Sequence, residues 1–435
     1  MKPYYPFSLI FLFIIACQPT LEKQSFPAPE ASSSIREGQV PEGLTREIYQ
    51  DKLLGMLIGS AIGDAMGAPV EMWSRDWMQA QYGYVDTLVH VIREGSPEGP
   101  WEDNMMPGAT TDDTRWKYLM GQYLLTQDDQ TLDDVAFANY LVSLYEEEKQ
   151  EVQSLETFDP EPLEQQLRHM TWLQEWAKVA HPFAEDDLQG YSYALNRFYG
   201  GEMSCAGMLY TPMIGAYLPG QPVTAYEEAY RLGIFDLGYA RDISALSAGY
   251  VAQAMKLNSP YDSIAGITPV LDPLKYANSR LIGRLAQQSY FNARKIVYDA
   301  RSIIEADPKL RIPKGFKRSA LEFTQMTQAF QALDQQMQQI PFHAGEIHLI
   351  NLTALLYSEG DFRLAMEFIV NFGRDNDTVA AVTGAILGAY VGYENLPKGL
   401  ALPVLKTSKE TIGIDLEALS QQLTDKLFGN EEVNN

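Results

Sequence analysis

An all-α protein with one large domain is what the sequence predicts. From Glu47 onward apolar residues recur every three or four positions, with few alternating Val/Ile/Thr runs of the kind that form half-buried strands. Glycines stand at four-residue intervals in two distant segments, which is a helical register. No second linker interrupts residues 44–428, and with 46% of the chain hydrophobic there is ample material for one core.

The first residues, MKPYYPFSLIFLFIIACQPT, place a lysine before an apolar run from Phe7 to Ala16. That run is shorter than the ~20 residues a membrane-crossing helix needs. It has the pattern of a secretory signal, and Ile14-Ile15-Ala16-Cys17 resembles a lipobox. The expectation is a signal peptide at 1–17 and a lipid on Cys17, which would anchor the protein in a bacterial cell envelope, at the outer membrane or on the periplasmic face. The plainer alternative is an apolar N-terminus with an incidental cysteine. Residues 18–43, rich in Pro, Ser, Glu and Gln without periodicity, are expected to be a flexible tether. Cys205 is the only other cysteine, so no intramolecular disulfide is expected once Cys17 is acylated, and stability must come from the core. The net charge of −24 argues against nucleic-acid partners and against direct binding to an anionic membrane. A phosphate-bearing ligand held locally through a cation stays compatible with it.

Along the folded part, Asp51 to Gly67 carries Gly55, Gly59, Gly63 and Gly67 as one bare stripe, and Thr378 to Gly392 carries Gly384, Gly388 and Gly392 beside Ala381, Ala385 and Ala389. A glycine inside a helix costs about 1 kcal/mol against alanine, so the stripes need the compensation of a closely approaching backbone. Either the two helices cross each other or each packs on some other helix; both are buried in either case. Helices are further expected after Thr114, around Leu132 to Tyr145, from Tyr239 to Met255 and from His348 to Val370. The acidic stretch from Glu146 to Glu164 is a solvated helix face or loop, and Pro308 to Lys317 is a basic, proline-punctuated loop.

Two short motifs stand at the heads of apolar helices: Thr111-Asp112-Asp113-Thr114, and Asp375-Asn376-Asp377-Thr378 after Gly373-Arg374. Either alone is ordinarily an N-cap. The second heads a helix so rich in Ala and Gly that its start must be buried, and two buried carboxylates repel and lose hydration. A hard divalent cation, Mg²⁺ or Mn²⁺, would neutralise them, and if the two motifs meet, their four carboxylates suit two ions. A third polar point, GDAMGAPVE, ends with Glu71 just past Pro69, on a turn that closes the glycine-striped helix.

These three motifs in this order resemble the ADP-ribosylglycohydrolase family, over most of the chain from Leu54 to Pro397. The resemblance implies a single large orthogonal multi-helix domain with a two-metal centre of Mg²⁺ or Mn²⁺ at the base of a cleft. It implies Thr111, Asp112, Asp113, Asp375, Asp377 and Thr378 as ligands, and catalytic roles for Glu71, at the cleft entrance, and for Asp375, in orienting water. CAGMLYTPMIGA, from Cys205 to Ala216, looks like the family's substrate loop and implies Gly207 and Met208 as substrate contacts. There are departures: no arginine follows Met208, Arg374 stands where glycine is frequent, and extra sequence lies near 146–200 and 275–340. The implied activity is hydrolysis of an N- or O-glycosidic bond to ADP-ribose, with an ADP-ribosylated protein or a small ribosyl compound as partner. The alternatives are a hydrolase of another ribosyl or nucleotide compound outside the cytoplasm, and a non-catalytic surface binding protein. Tyr191, Tyr193, Phe198 and Tyr199 are candidates for stacking on a base or for plain packing, and His343 and His348 for the cleft or the core.

Overall fold

The computed structural model describes residues 40–90, 106–127, 132–154, 160–271 and 283–429. The expected signal peptide, tether residues 18–39 and parts of both extra segments lie outside them. Seventeen α-helices and no strand occur among the described residues. The first five are α1 (Arg46–Gly67), α2 (Arg75–Gln81), α3 (Asp112–Thr126), α4 (Asp134–Ser154) and α5 (Pro160–Ala184). Next come α6 (Leu188–Leu195), α7 (Ala206–Tyr217), α8 (Pro222–Leu232), α9 (Ala240–Ala254), α10 (Asp262–Gly266) and α11 (Arg284–Arg301). The last six are α12 (Ala320–Asp334), α13 (Ala344–Ser358), α14 (Phe362–Phe372), α15 (Asn376–Val391), α16 (Lys398–Thr407) and α17 (Leu416–Phe428).

Every residue of α1 from Gly55 to Gly67 is buried. The helix is long and apolar enough to cross a membrane by composition, yet 94% of that window is buried within the protein, which makes it a core helix. Its partner along the whole stripe is α15. A methyl group on Gly59 would lie 2.3 Å from the Gly384 carbonyl oxygen, and one on Gly384 would lie 2.1 Å from that of Gly59. Gly55 and Gly388 oppose each other in the same way, and Gly63 meets the Ala380 carbonyl. The two stripes therefore cross each other, and the backbones touch because nothing larger than hydrogen stands between them.

Around this pair α9, α13 and α14 pack on α15, while α16 and α17 pack on α1. An aromatic cluster joins α3, α5 and α7 through Trp116, Trp176 and Tyr210, with the two indole rings 3.9 Å apart. The described parts of the extra segments supply α5 and α6, which pack together, and α11 and α12, of which α11 lies on α13.

The stretch from His348 to Val370, expected to be helical, is divided between two helices. Glu359 (φ 51°) and Gly360 (φ 91°) turn left-handed after α13, and the Asp361 carboxylate then accepts from Leu364 N to cap α14. Pro308 to Lys317 is irregular, as its prolines require.

The crossing yields a direct test. Gly59→Ala or Gly384→Ala should lower unfolding stability by about 2–3 kcal/mol in denaturant titrations, since rigid backbone leaves the new methyl no room. Gly399→Ala, with nothing within 4 Å, should be neutral within about 0.5 kcal/mol.

Candidate active site

The stripe continues into the site. Gly67 ends α1 against the backbone of Asp377, where a methyl group would lie 2.3 Å from the Asp377 Cα. The crossing thus delivers the head of α15 to the end of α1, next to the turn Ala68–Val70 and Glu71. Pro69 sits in that turn and Glu71 follows it, half-buried, as the sequence predicts.

The head of α3 is held from the same helix. Asp64, fully buried in α1, accepts from Thr111 N (3.0 Å), Thr111 Oγ1 (2.9 Å), Thr114 N (3.0 Å) and Thr114 Oγ1 (2.6 Å). A carboxylate from another helix therefore reinforces the N-cap, Thr111, whose hydroxyl accepts from Asp113 N, and Asp112 lines a pocket. Burial, and then the charge of Asp113, push the Asp64 carboxyl up to about 7 against the pull of these donors.

The two acidic motifs meet. Thr378 Oγ1 donates to Asp113 Oδ2 at 3.0 Å, and the buried Lys117 donates to the Asp113 carbonyl at 3.0 Å with its Oδ1 at 3.5 Å. Asp375 is the N-cap residue of α15 but makes no capping bond with its side chain. Carboxylate oxygens of Glu71, Asp375 and Asp377 lie within 4.8 Å of one another. Asp377 Oδ1 is buried and has no hydrogen-bond partner. Burial and then the charge of Glu71 hold both Asp375 and Asp377 well above the usual carboxylate range. An orphaned carboxylate oxygen inside such a cluster, with a threonine hydroxyl beside it, is a donor set that fits a hard divalent cation.

These groups open on a small pocket of about 50 Å³. Glu71, Asp112, Asp375, Asp377 and Thr378 form its acidic wall; Met72, Tyr199, Cys205, Leu209 and Phe342 form much of the rest. The expected ligands Thr111 and Asp113 lie behind the wall, bonded to Asp64 and Thr378. Gly207 and Met208, expected to touch substrate, do not line the pocket. The phase of α7 turns Cys205, Ala206 and Leu209 to it, while Gly207 N donates to buried Asp236 and Met208 is fully buried. The Cys205 thiol lies 3.9 Å from Asp375 Oδ2 and is pushed up by burial and the surrounding carboxylates.

Of the aromatic candidates Tyr199 reaches the pocket; Phe198 packs on Trp176, and the Tyr193 ring is exposed under Arg197. His343 caps α13, accepting from Gly345 N, and His348 is buried in a stack with Tyr250, so neither lines the pocket. Asp64 and Lys117 are site residues to which the sequence reading gave no role. Asp64 had a signal, a carboxylate inside a glycine stripe whose burial was already implied; Lys117 had none.

A family model described as ADP-ribosylglycohydrolase matches residues 45–433. The chain belongs to the ADP-ribosylglycohydrolase family. It is 32% identical over 102 residues to ADP-ribosyl-[dinitrogen reductase] glycohydrolase of Rhodospirillum rubrum, a match covering 23% of this chain and 32% of that protein. It is also 32% identical over 95 residues to uncharacterized protein YegU of Escherichia coli (strain K12), covering 21% and 26%. The matched part thus spans a third or less of these two relatives. A solved structure titled ADP-ribosylglycohydrolase-related protein complex superposes with a TM-score of 0.52 at 19% identity, covering 87% of this chain and 98% of that one, which shows a shared fold.

Two outcomes follow from the buried ionisable groups. Asp64→Ala strands the amides and hydroxyls of Thr111 and Thr114 and should cost at least about 2 kcal/mol in denaturant unfolding. Burial lowers His348 to about 4, so below the ordinary histidine pKa the unfolded chain takes up a proton that the folded one refuses. Stability should fall from this source as pH drops from about 6.5 to 4, by up to about 3 kcal/mol, and His348→Phe should flatten that limb of the stability–pH curve.

Proposed function

We propose that this member of the ADP-ribosylglycohydrolase family hydrolyses a glycosidic bond to ADP-ribose with the help of a divalent-cation centre, Mg²⁺ or Mn²⁺ in two adjacent positions. The observation that carries the reading is the convergence of Glu71, Asp112 and Asp375 with Asp377, from three segments far apart in sequence, on one wall of one pocket. Asp112, Asp375, Asp377 and Thr378 would hold the ions, with Asp113 steadying Thr378 from behind. When bound, the cations supply Lewis acidity at ribose oxygens and neutralise the carboxylates.

The remaining work falls to the chain. Cleavage at an anomeric carbon passes through an oxocarbenium-like transition state, which carboxylates assist by accepting and returning protons. Asp375 orients the attacking water and takes its proton. Glu71, on the turn at the pocket edge, holds the anomeric substituent and returns a proton to the leaving group. Met72, Tyr199 and Phe342 limit the water that can compete there.

Asp112→Asn and Asp375→Asn should each abolish cation-dependent release of ADP-ribose from modified arginine or serine, with circular dichroism and melting temperature unchanged. Normal turnover in both variants would overturn the assignment. A second reading is favoured by the pocket lining, which among the described residues includes no arginine or lysine: the substrate would be a smaller ribosyl compound without a diphosphate to hold. A panel of ribosylated bases and nucleosides assayed beside ADP-ribosylated peptides separates the two. The Phe7–Cys17 pattern supports a lipid-anchored, extracytoplasmic setting, which Cys17→Ser with metabolic lipid labelling would check.

A further inference from the structure

Two residues other than glycine adopt left-handed backbone at the carboxylate cluster. Met72 (φ 61°) follows Glu71, and Arg374 (φ 68°) precedes Asp375. They are joined, because Met72 N donates to the Arg374 carbonyl at 2.8 Å. Such conformations persist where the surroundings over-determine them.

The surroundings of Arg374 do so through its side chain. Its Nε and Nη2 donate to the two carboxylate oxygens of Glu346 at 2.7 and 2.9 Å, and Nη2 also donates to the Gln338 carbonyl at 2.8 Å. Glu346, in the first turn of α13, is buried and also accepts from Gln338 N at 2.6 Å. A forked guanidinium–carboxylate pair fixes orientation as well as distance, which a lysine's point charge does not. Neither side chain lines the pocket. Glycine would hold a φ of 68° without steric penalty, so the backbone gives no reason for arginine here, and the ion pair does.

We propose that Arg374 and Glu346 are positioning residues, a clamp that fixes the segments bearing Glu71 and Asp375 relative to each other and ties them to Gln338 at the end of the second extra segment. Its consequence for turnover rests on the function proposed above, but the clamp itself is a statement about geometry.

The test compares Arg374→Gly, Arg374→Lys and Glu346→Gln with the wild-type full chain. Arg374→Gly removes the fork while relaxing the backbone, so melting temperature should stay within a few degrees. Hydrogen exchange at the peptide containing Met72 should rise about tenfold. Mn²⁺ affinity by calorimetry should fall about tenfold or more, as with other residues that orient metal ligands, and kcat should fall more than KM rises. Glu346→Gln should act in the same direction, and Arg374→Lys should recover only part. Unchanged exchange at Met72 in Arg374→Gly and Glu346→Gln would overturn the clamp. Failure of the wild-type protein to bind Mn²⁺ or release ADP-ribose would instead sink the functional reading, with the exchange measurement still deciding the clamp.

Discussion

Contact between the backbones of α1 and α15 sets the positions of everything else in this molecule. Side chains cannot mediate it, since carbonyl oxygens of one helix occupy the space where β-carbons of the other would be. Helices usually lie 8–10 Å apart with interlocked side chains that can repack. A crossing made of backbone has no such slack, and its last contact, Gly67 on Asp377, lies inside the candidate site. The packing that stabilises the core is therefore also what aims a carboxylate.

The acidic groups divide by how they are satisfied. Asp64 is surrounded by donors from Thr111 and Thr114 and acts as an anchor. Asp113 is held between Thr378 and Lys117. Asp375 and Asp377 face the pocket, and one oxygen of Asp377 finds no donor at all. A helix N-terminus offsets a carboxylate by ~1 kcal/mol, well short of the penalty for several buried like charges. The raised carboxyls of Asp375 and Asp377 express that penalty, and a lysine placed one helical turn behind Asp113 does not reach the pocket wall to offset it.

How much of this the sequence discloses depends on whether a feature is periodic, local or neither. The glycine stripes are periodic, so the buried helices could be read from them, although their mutual crossing stayed one of two options until the reciprocal contacts of Gly59 and Gly384 decided it. The acidic motifs are local and were legible; that the head of α3 would be held by Asp64, 47–50 residues away from its bonded partners, was not. At the start of α7 helical phase, which a likeness between loops does not carry, turns Cys205, Ala206 and Leu209 to the pocket and Met208 to the core. Arg374 and Glu346 lie 28 residues apart with no repeating signal between them.

The two walls of the pocket have different origins. One is made of helix ends fused to the glycine crossing; the other draws on Tyr199, in a short turn with left-handed backbone, and on Phe342, from the segment leading into α13. Evolution, or an engineer, can therefore exchange the aromatic side to admit a differently shaped ligand while the acidic side stays where the helices put it. Divergence of specificity within such a scaffold should collect in those connecting segments and leave the paired helices nearly untouched.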